Sequence, residues 1–405
     1  MTVAAAPSAT GRKTLMVCGG AHALHDGFTD LLNVLYPLLQ AQFGLSYAAI
    51  GALKAVYSGA MASGQIPSGW LAGKLGGVRI LAAGTLLVAS GYGLAGFTGS
   101  LYGVIAGLLL AGLGGSTQHP IASTLVSGAF PGLRSRAALG TYNFTGDLGK
   151  VALPALFALI AASMGWRQAM YLTAAIAVAG AATILVTLQS AEMRAKTSAG
   201  RDVAGQDRPW AFWLLFCIHV ADSSVRSGFL IFLPFLLQHK GADLPTVGLA
   251  LSLLFAGGAA GKLAMGWLGA RLGVVASVVA TELATTALIL AILPLGLGWT
   301  MALLPLVGLM LNGTSSVLYG TIPEFVATER RTHAFAVFYT GGSIAGASSP
   351  FLFGLLGDFI GLVPALMCVG ALALLTVPLV AALRPAFVLS PSKEPRSTPD
   401  PSASA

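Results

Sequence analysis

Apolar residues occupy this chain in long runs, separated by short connections in which glycine, proline and charged residues collect. A run of about 20 apolar residues crosses a bilayer as one helix, whereas the strands of a membrane barrel show alternating segments of about ten residues. The runs have the helical length and do not alternate. They predict twelve transmembrane helices, at about 15–39, 47–72, 79–98, 101–127, 137–163, 167–190, 210–238, 245–270, 274–297, 300–322, 333–356 and 360–384.

The composition agrees with this pattern. Hydrophobic residues make up 56% of the chain and charged residues only 9%, whereas about a quarter of the residues in soluble domains are charged. No phosphate-binding loop of the Gly-x-x-x-x-Gly-Lys-Ser/Thr type occurs, so the chain does not drive transport with an ATPase of its own. We interpret it as a membrane protein that is not an enzyme and carries no cofactor.

Lys and Arg residues collect in every second connection, which is typical of cytoplasmic loops. The loops on the other side contain only Arg167 and Lys240. The formal net charge of +8 therefore indicates the orientation of the helices, and we do not interpret it as nucleic-acid binding. Both termini are expected in the cytoplasm, in a multi-pass protein of the plasma membrane. Lys54 and Lys262 are expected near helix ends, where a long side chain can reach the surface.

The longest polar break divides the helices into two groups of six, and the last residues are rich in Pro and Ser, a composition typical of disorder. The predicted organisation is a cytoplasmic N-terminal tail (1–14), a six-helix bundle (15–190), a cytoplasmic linker (191–209), a second six-helix bundle (210–385) and a disordered cytoplasmic tail (386–405).

The two groups of helices are similar in sequence when one is shifted by 197 residues. The shift pairs His22 with His219, Pro37 with Pro234, Gly44 with Gly241, Gly51 with Gly248, residues 69–71 with residues 266–268, Arg134 with Arg331, and Tyr142 with Tyr339. Identities at one offset through several helices and their loops indicate a tandem duplication.

The loops after the second and eighth helices read GWLAGKLGGVRIL (69–81) and GWLGARLG (266–273). They resemble the Gly-x-Leu-Ala-Asp-Arg-x-Gly-Arg-Arg signature of the major facilitator superfamily, although Gly73 and Ala270 replace its Asp. The resemblance implies an all-α multi-pass fold of twelve helices in two six-helix bundles related by a parallel repeat. It also implies alternating access, with the substrate bound between the halves near the middle of the bilayer.

Two further stretches are HALHDGFTDLLNVLYPLLQAQFGLSYAAIG (22–51) and GLGGSTQHPIAST (112–124). They resemble the fosmidomycin-resistance-type exporters, which carry a His and an Asp ahead of YPLLQ and a His-Pro pair on the fourth helix. This chain departs from that pattern on the fifth helix, where Asp147 and Lys150 occupy positions expected to be uncharged. The resemblance implies a bacterial inner-membrane protein that exports a small molecule in exchange for an incoming proton.

The first predicted helix carries a polar stripe of His22, His25, Asp26, Thr29, Asp30 and Asn33. Their spacing places them on one face, which must point into the bundle because lipid offers no polar partner. An ionisable group in the membrane costs at least about 2.5–3.5 kcal/mol, whereas an interhelical hydrogen bond contributes about 0.6 kcal/mol on average. Hydrogen bonds between helices therefore do not offset the cost of placing these groups in the membrane, and we interpret the stripe as functional.

Asp26 and Asp30 are the predicted proton carriers. Two carboxylates about 6 Å apart on one helix face repel each other, which favours protonation of one of them. His25 on the same helix and His119 on the fourth are candidates for carrying or relaying the proton, because imidazole titrates near neutral pH.

The seventh helix places His219, Asp222 and Arg226 on one face, while the shifted positions of the two carboxylates hold serines. The halves therefore differ, so that one could carry a proton while the other binds the substrate. A guanidinium matches carboxylate, phosphonate or phosphate groups, so Arg226 predicts an anionic substrate. Lys150 is a second candidate cation unless it is neutralised by Asp147. The other predicted substrate-binding residues are Asn33, Gln118, Tyr142, Asn143 and Tyr339.

We therefore expect a proton-coupled secondary transporter that exports a small, anionic organic molecule or drug by rocking of its two halves. Its expected partners are the substrate, protons and the lipid bilayer, and it is expected to be a monomer. An alternative is a metal or metal-chelate transporter that uses His22, His25 and Asp26 as ligands, because imidazole suits Zn, Ni, Co and Cu. A membrane receptor or enzyme is the remaining alternative.

Overall fold

The computed structural model of the chain describes residues 9–130, 133–188, 207–327 and 330–388. These residues form helices and connections, with no strand among them. The helices are α1 (Ala9–Asp30), α2 (Leu32–Phe43), α3 (Tyr47–Leu75), α4 (Gly77–Phe97), α5 (Leu101–Gly115), α6 (Gln118–Ala129), α7 (Leu133–Met164), α8 (Trp166–Leu188), α9 (Pro209–His239), α10 (Leu244–Leu272), α11 (Val274–Ile292), α12 (Leu297–Phe325), α13 (Arg331–Ile360), α14 (Leu362–Leu374), α15 (Thr376–Ala382) and α16 (Arg384–Val388).

These helices make twelve spans, which confirms the predicted fold class. Ten spans in the described part of the chain are long and apolar enough to cross a membrane. The other two are the first span, α1 with α2, and the second span, α3, in which charged and polar residues interrupt the apolar sequence. The fourth span is α5 with α6, broken just before Pro120, as expected where a proline removes a backbone hydrogen bond.

The predicted domain boundaries differ from the helix ends in three places, one of which is Pro209, the last residue of the predicted linker, where α9 begins. The first helix already begins at Ala9, so it includes part of the predicted N-terminal tail, and α16 covers the start of the predicted C-terminal tail at 386. Most of the predicted linker (191–209) and most of the C-terminal tail lie outside the described residues, as do residues 1–8.

The two halves meet through α3 against α13 and α7 against α10. These helices approach so closely that a Cβ added at Gly51 would collide with the carbonyl of Pro350, and one added at Gly248 would lie 2.5 Å from the Cβ of Ala158. Glycine is required at both positions because any side chain would separate the halves.

The contacts between the halves concentrate toward the end of the bundle where α3 begins. There the carboxylate of Asp358 in α13 accepts hydrogen bonds from the backbone N–H groups of Tyr47 and Ala48, at 2.7 and 3.0 Å. At the opposite end, Trp70 of α3 is 60% exposed and Trp267 of α10 is 57% exposed. The described contacts therefore join the halves at the first end, whereas these two tryptophans at the second end are not packed between them.

The internal repeat is visible in the backbone. Gly44 and Gly241 both adopt a positive φ, at 64° and 87°, and are 197 positions apart. From the fourth span onward the equivalent positions are 196 apart, as for Leu101 and Leu297 at the starts of α5 and α12, and for Gly165 and Gly361, with φ of 93° and 89°.

This change of register corrects the predicted pairing of Tyr142 with Tyr339. Tyr142 stacks on His22 at 4.1 Å between ring centroids, and Phe338 stacks on His219 at the same distance. Phe338 is therefore the structural equivalent of Tyr142. A shift of one residue turns a helix by about 100°, which moves Tyr339 to another face.

Candidate functional site

A cavity of about 330 Å³ lies between the two halves, and charged side chains from both of them line it. We call it the central cavity. Its charged residues are Asp30, Asp147 and Lys150 from the first half and Arg226 and Lys262 from the second, and its neutral lining is Leu230, Phe255, Gly258, Ala259, Asn312, Ser315 and Tyr319.

Asp26 is almost completely buried behind this cavity and lies at the centre of a polar network. Its Oδ2 is 3.1 Å from Lys150 Nζ, while its Oδ1 is 3.4 Å from His22 Nε2 and 3.7 Å from His119 Nε2. Gly146 permits this network, because a Cβ there would lie 2.8 Å from both Asp26 Oδ2 and the His22 ring. Three spans thus hold this one carboxylate.

Asp147 connects the two halves. Its Oδ1 lies 2.5 Å from Nζ of Lys262 in α10 and 3.9 Å from Nζ of Lys150 on its own helix. The sequence predicted the contact with Lys150 but placed Lys262 at the cytoplasmic surface. The structure places Lys262 in the central cavity instead, because α10 packs against α7 along this face.

Asp30 differs from the other carboxylates of the first half. Its Oδ1 accepts a hydrogen bond from Asn33 Nδ2 at 3.3 Å. None of the ion pairs between described residues involves Asp30, although its side chain lines the central cavity. It is therefore the carboxylate best placed to exchange a proton with the cavity.

His25 lies apart from this network. Its Nε2 is 2.9 Å from Thr85 Oγ1, and the Thr85 hydroxyl itself donates to the carbonyl of Leu81. Since that hydroxyl has a single hydrogen, His25 Nε2 must be the donor to it. His25 is buried and directed toward α4, so the structure gives it a helix-bridging contact.

The predicted metal set of His22, His25 and Asp26 does not form. Among the described residues, the group that could hold a metal ion is His22, Asp26 and His119, whose ligand atoms lie within 4.8 Å of one another. In this group of possible metal ligands, His119 replaces the predicted His25. The ammonium of Lys150, 3.1 Å from Asp26, opposes a metal cation at this position.

In the second half, Arg226 reaches the central cavity from α9. Its Nη1 lies 3.5 Å from Asp222 Oδ2, and its Nη2 donates to Ser223 Oγ at 3.3 Å. His219 is buried about two turns from Arg226, with its Nε2 3.4 Å from the hydroxyl of Tyr319. Arg226 is therefore held at the cavity wall by groups on its own helix.

The remaining predicted residues lie away from the cavity lining. Gln118 is fully buried and its Nε2 donates to the hydroxyl of Tyr142 at 3.4 Å. Asn143 and Tyr339 are exposed, and the Tyr339 ring lies 4.7 Å from that of Tyr319. Asn33 contributes only through its hydrogen bond to Asp30.

Several residues of the site were missed by the sequence reasoning. Lys262, Asn312, Ser315 and Tyr319 line the central cavity, and Lys54 lines a smaller cavity of about 170 Å³ between α3, α9 and α13. Glu282 is buried in α11. A lone acidic residue within an apolar membrane run is itself a functional signal, so Glu282 could have been found from the sequence.

Comparison with known proteins gives one family and several relatives. The sequence profile of the Major Facilitator Superfamily matches residues 18–221 and again residues 212–404. A probable sulfoacetate transporter, SauU, from Cupriavidus necator (strain ATCC 17699) is 25% identical over 85% of this chain and 89% of that protein. The fosmidomycin resistance protein of Escherichia coli (strain K12) is 30% identical, over 40% of each chain.

Among solved structures, the chain is similar in fold to a bacterial homologue of the human lysosomal transporter Spinster, in an inward-facing and occupied conformation. The TM-score is 0.79 at 15% identity, covering 92% of this chain and 97% of that one. It is also similar to the peptide transporter POT in complex with sulfate, with a TM-score of 0.75 at 14% identity, covering 93% and 94%. At these identities the likeness shows the fold alone.

Proposed function

Because the chain belongs to the Major Facilitator Superfamily, and is thus a transporter rather than an enzyme, we propose that it moves small organic anions in a proton-coupled manner. The observation that carries the proposal is the charge of the central cavity. Lys150, Arg226 and Lys262 line it, against two carboxylates in its lining. Three cationic side chains at the wall of a membrane cavity favour an anionic substrate that replaces a protein carboxylate as their partner, because the surrounding low dielectric strengthens the attraction.

The cations have different partners, which assigns them different roles. Lys150 and Lys262 both contact Asp147, so they are partly neutralised. Arg226 is 3.5 Å from Asp222, longer than a strong charge-assisted hydrogen bond. Arg226 is therefore the cation most available to a substrate, and its planar guanidinium suits a carboxylate, phosphonate or sulfonate. The similarity to a probable sulfoacetate transporter supports an acidic substrate.

Proton coupling is assigned to Asp30 and Asp26. Asp30 faces the cavity without an ion pair among the described residues, so protonation there breaks no salt bridge. Asp26 shares Lys150 with Asp147, and His119 lies beside it as a relay. An anion that draws Lys150 toward itself leaves Asp26 without its cation. Asp26 then favours a proton, which links the two ligands.

We further propose the orientation that the sequence predicts. With both termini in the cytoplasm, the end that carries Trp70 and Trp267 faces the cytoplasm, and the exposure of both side chains supports an inward-open conformation. Because the anion and the proton favour each other's binding, the two move in the same direction, so an inward proton gradient drives uptake of the anion. The likeness to the fosmidomycin resistance protein would instead support export in exchange for protons. One charge crossing 100 mV supplies about 2.3 kcal/mol, enough to drive transport of this kind.

The test uses purified protein in liposomes that contain a pH-sensitive dye. Carboxylates, sulfonates and phosphonates are added against an imposed proton gradient of either direction, for wild type, Arg226→Gln and Asp30→Asn. We expect anion-dependent proton movement that Arg226→Gln reduces at least tenfold and Asp30→Asn abolishes. Arg167→Gln is the matched control, since this guanidinium lies over Trp166 at a helix connection outside the cavity. Unchanged anion recognition in Arg226→Gln would remove the basis of the proposal.

The metal alternative keeps one observation in its favour, the convergence of His22, Asp26 and His119. A metal transporter should show thermal stabilisation by Zn, Ni, Co or Cu that His119→Gln removes. His25→Gln is the matched control, because this imidazole contacts Thr85 instead. Stabilisation lost equally in both variants would count against the trio as a metal site.

A further inference from the structure

Glu282 is a carboxylic acid in the middle of α11, a helix that is otherwise apolar or neutral. Its side chain is only 2% exposed. It follows Thr281, whose hydroxyl accepts a hydrogen bond from Thr314 of α12 at 2.8 Å, and Asp222 and Arg226 of α9 are among the charged groups near it. Glu282 has no part in the proposed transport of the anion or in proton coupling at Asp26 and Asp30. A buried acid in a membrane helix usually has a function.

The internal repeat shows that Asp222 and Glu282 occupy a contact position. At the offset of 197, Asp222 corresponds to His25 and Glu282 corresponds to Thr85. His25 and Thr85 form a hydrogen bond of 2.9 Å in the first half. The repeat thus predicts that the corresponding positions, Asp222 and Glu282, face each other in the second half. In the first half they hold a neutral hydrogen-bonded pair, and in the second half they hold two carboxyl groups.

The charges around the two carboxyls do not balance if both are ionised. Away from the helix ends, the titratable groups on the elements packed around them are His219, Cys217 and Arg226 of α9, Lys262 of α10, Tyr319 of α12, Tyr339 of α13 and Cys368 of α14. Of the lysine and the arginine in this set, Lys262 is bonded to Asp147, which leaves Arg226. One guanidinium compensates one carboxylate, and a second buried carboxylate without a partner is strongly unfavourable.

The geometry at Asp222 fits a shared proton. Its side chain is 3% exposed, and its Oδ2, 3.5 Å from Arg226 Nη1, accepts no hydrogen bond from the described residues. A proton held between Asp222 and Glu282 would satisfy the charge and supply a hydrogen bond. Two carboxyls in one buried site commonly share a proton in this way.

We propose that Asp222 and Glu282 form a second proton-binding site, in the C-terminal half, which holds one proton at rest and takes up another when Arg226 turns to an anion in the central cavity. The second step rests on the proposed function, because it needs the anion. The anion replaces Asp222 as the partner of Arg226, so the carboxyl pair loses its counter-charge and takes a proton from the cavity. When the anion leaves, Arg226 returns to Asp222 and that proton is released.

The first experiment needs neither anion nor transport. Infrared spectra of the wild-type protein in membranes at neutral pH should contain the C=O stretching band of a protonated carboxylic acid, shifted in heavy water. In an Asp30→Asn background, which removes the other carboxyl assigned to protonation, Glu282→Gln should lose this band, because Asp222 then pairs alone with Arg226. Asp358→Asn is the matched control and should keep it, since that carboxylate is exposed and caps α3. A band of unchanged intensity in Glu282→Gln would overturn the proposal.

A second experiment uses binding and guards against a variant that does not fold. The Kd of a recognised anion is measured against pH for wild type and for Asp222→Asn with Glu282→Gln. Uptake of one proton with the anion changes Kd by about tenfold per pH unit. In the double variant the change of Kd per pH unit should therefore be about tenfold smaller than in wild type. An equal slope in both proteins would exclude the pair. If the band is present and lost in Glu282→Gln while no anion binds, the proton site stands and the transport proposal fails.

Discussion

The ion pair between Asp147 of α7 and Lys262 of α10 should hold the two halves in the observed conformation. The atoms Oδ1 and Nζ are 2.5 Å apart, with the Asp147 side chain 12% exposed and the Lys262 side chain 38% exposed. A hydrogen bond to a charged group contributes about 1.5–3 kcal/mol, and an exposed ion pair about 0.2–1 kcal/mol. The partial exposure of Lys262 places this pair between them, at about 1–2 kcal/mol.

A change of one or two kcal/mol alters an equilibrium by a factor of about 5–30. We therefore expect Asp147→Asn to lower, by this factor, the ratio of the observed conformation, in which Trp70 and Trp267 are exposed, to the alternative conformation. Pulsed electron paramagnetic resonance between spin labels at those two positions measures the population. The labels require replacement of the exposed Cys217 and Cys368, whereas Cys18 is buried.

A double-mutant cycle of Asp147→Asn, Lys262→Gln and the double variant isolates the pair from other contacts. The matched control is Asp207→Asn, which removes the exposed 3.1 Å pair with Arg330. That pair should contribute less than about 1 kcal/mol. A coupling energy below about 0.5 kcal/mol for Asp147 and Lys262 would refute the reasoning.

Two further predictions concern contacts between the two halves, and a third concerns a hydrogen bond within the first half. Asp358→Asn should weaken the cap on α3 by about 1 kcal/mol. Cysteines introduced at the end of the bundle where α3 begins should then be labelled faster, because the alternative conformation separates the halves at that end. Gly51→Ala should clash with Pro350 and shift the same equilibrium further, with Gly59→Ala as a control, since nothing lies within 4 Å of its Cβ position. His25→Leu removes the hydrogen bond to Thr85 and should lower the unfolding free energy by about 1–3 kcal/mol, measured by thermal unfolding. Proton coupling in the liposome assay should persist. Loss of coupling at unchanged stability would show that His25 carries the proton.

The amino-acid pattern was sufficient for the spans and for the face that each polar stripe presents. Asp26 and Asn33 are buried, at 9% and 2% exposed, as the spacing on the first helix predicts. The physical reason is local, because the helix period places these groups on one side and lipid excludes them from the other. The resemblance of the two loops after the second and eighth helices also indicated the superfamily correctly.

The partner that each polar side chain meets depended on the tertiary structure. Lys262 reaches Asp147 because α10 packs on α7, and His25 reaches Thr85 because α1 faces α4. Neither contact can be predicted from the spacing of residues along one helix. Such contacts depend on the rotation and register of helices that are far apart in the chain.

The internal repeat shows that a shift of one residue changes which side chains meet. A single offset of 197 aligns the first three spans of each half, and one residue fewer before the tenth span changes the offset to 196. That residue rotates α13 by about 100°, so that Phe338 rather than Tyr339 stacks on His219. The sequence by itself determined which residues are polar and buried. The packing of the helices determined which of them share a charge, because an ion pair requires two side chains to meet in space.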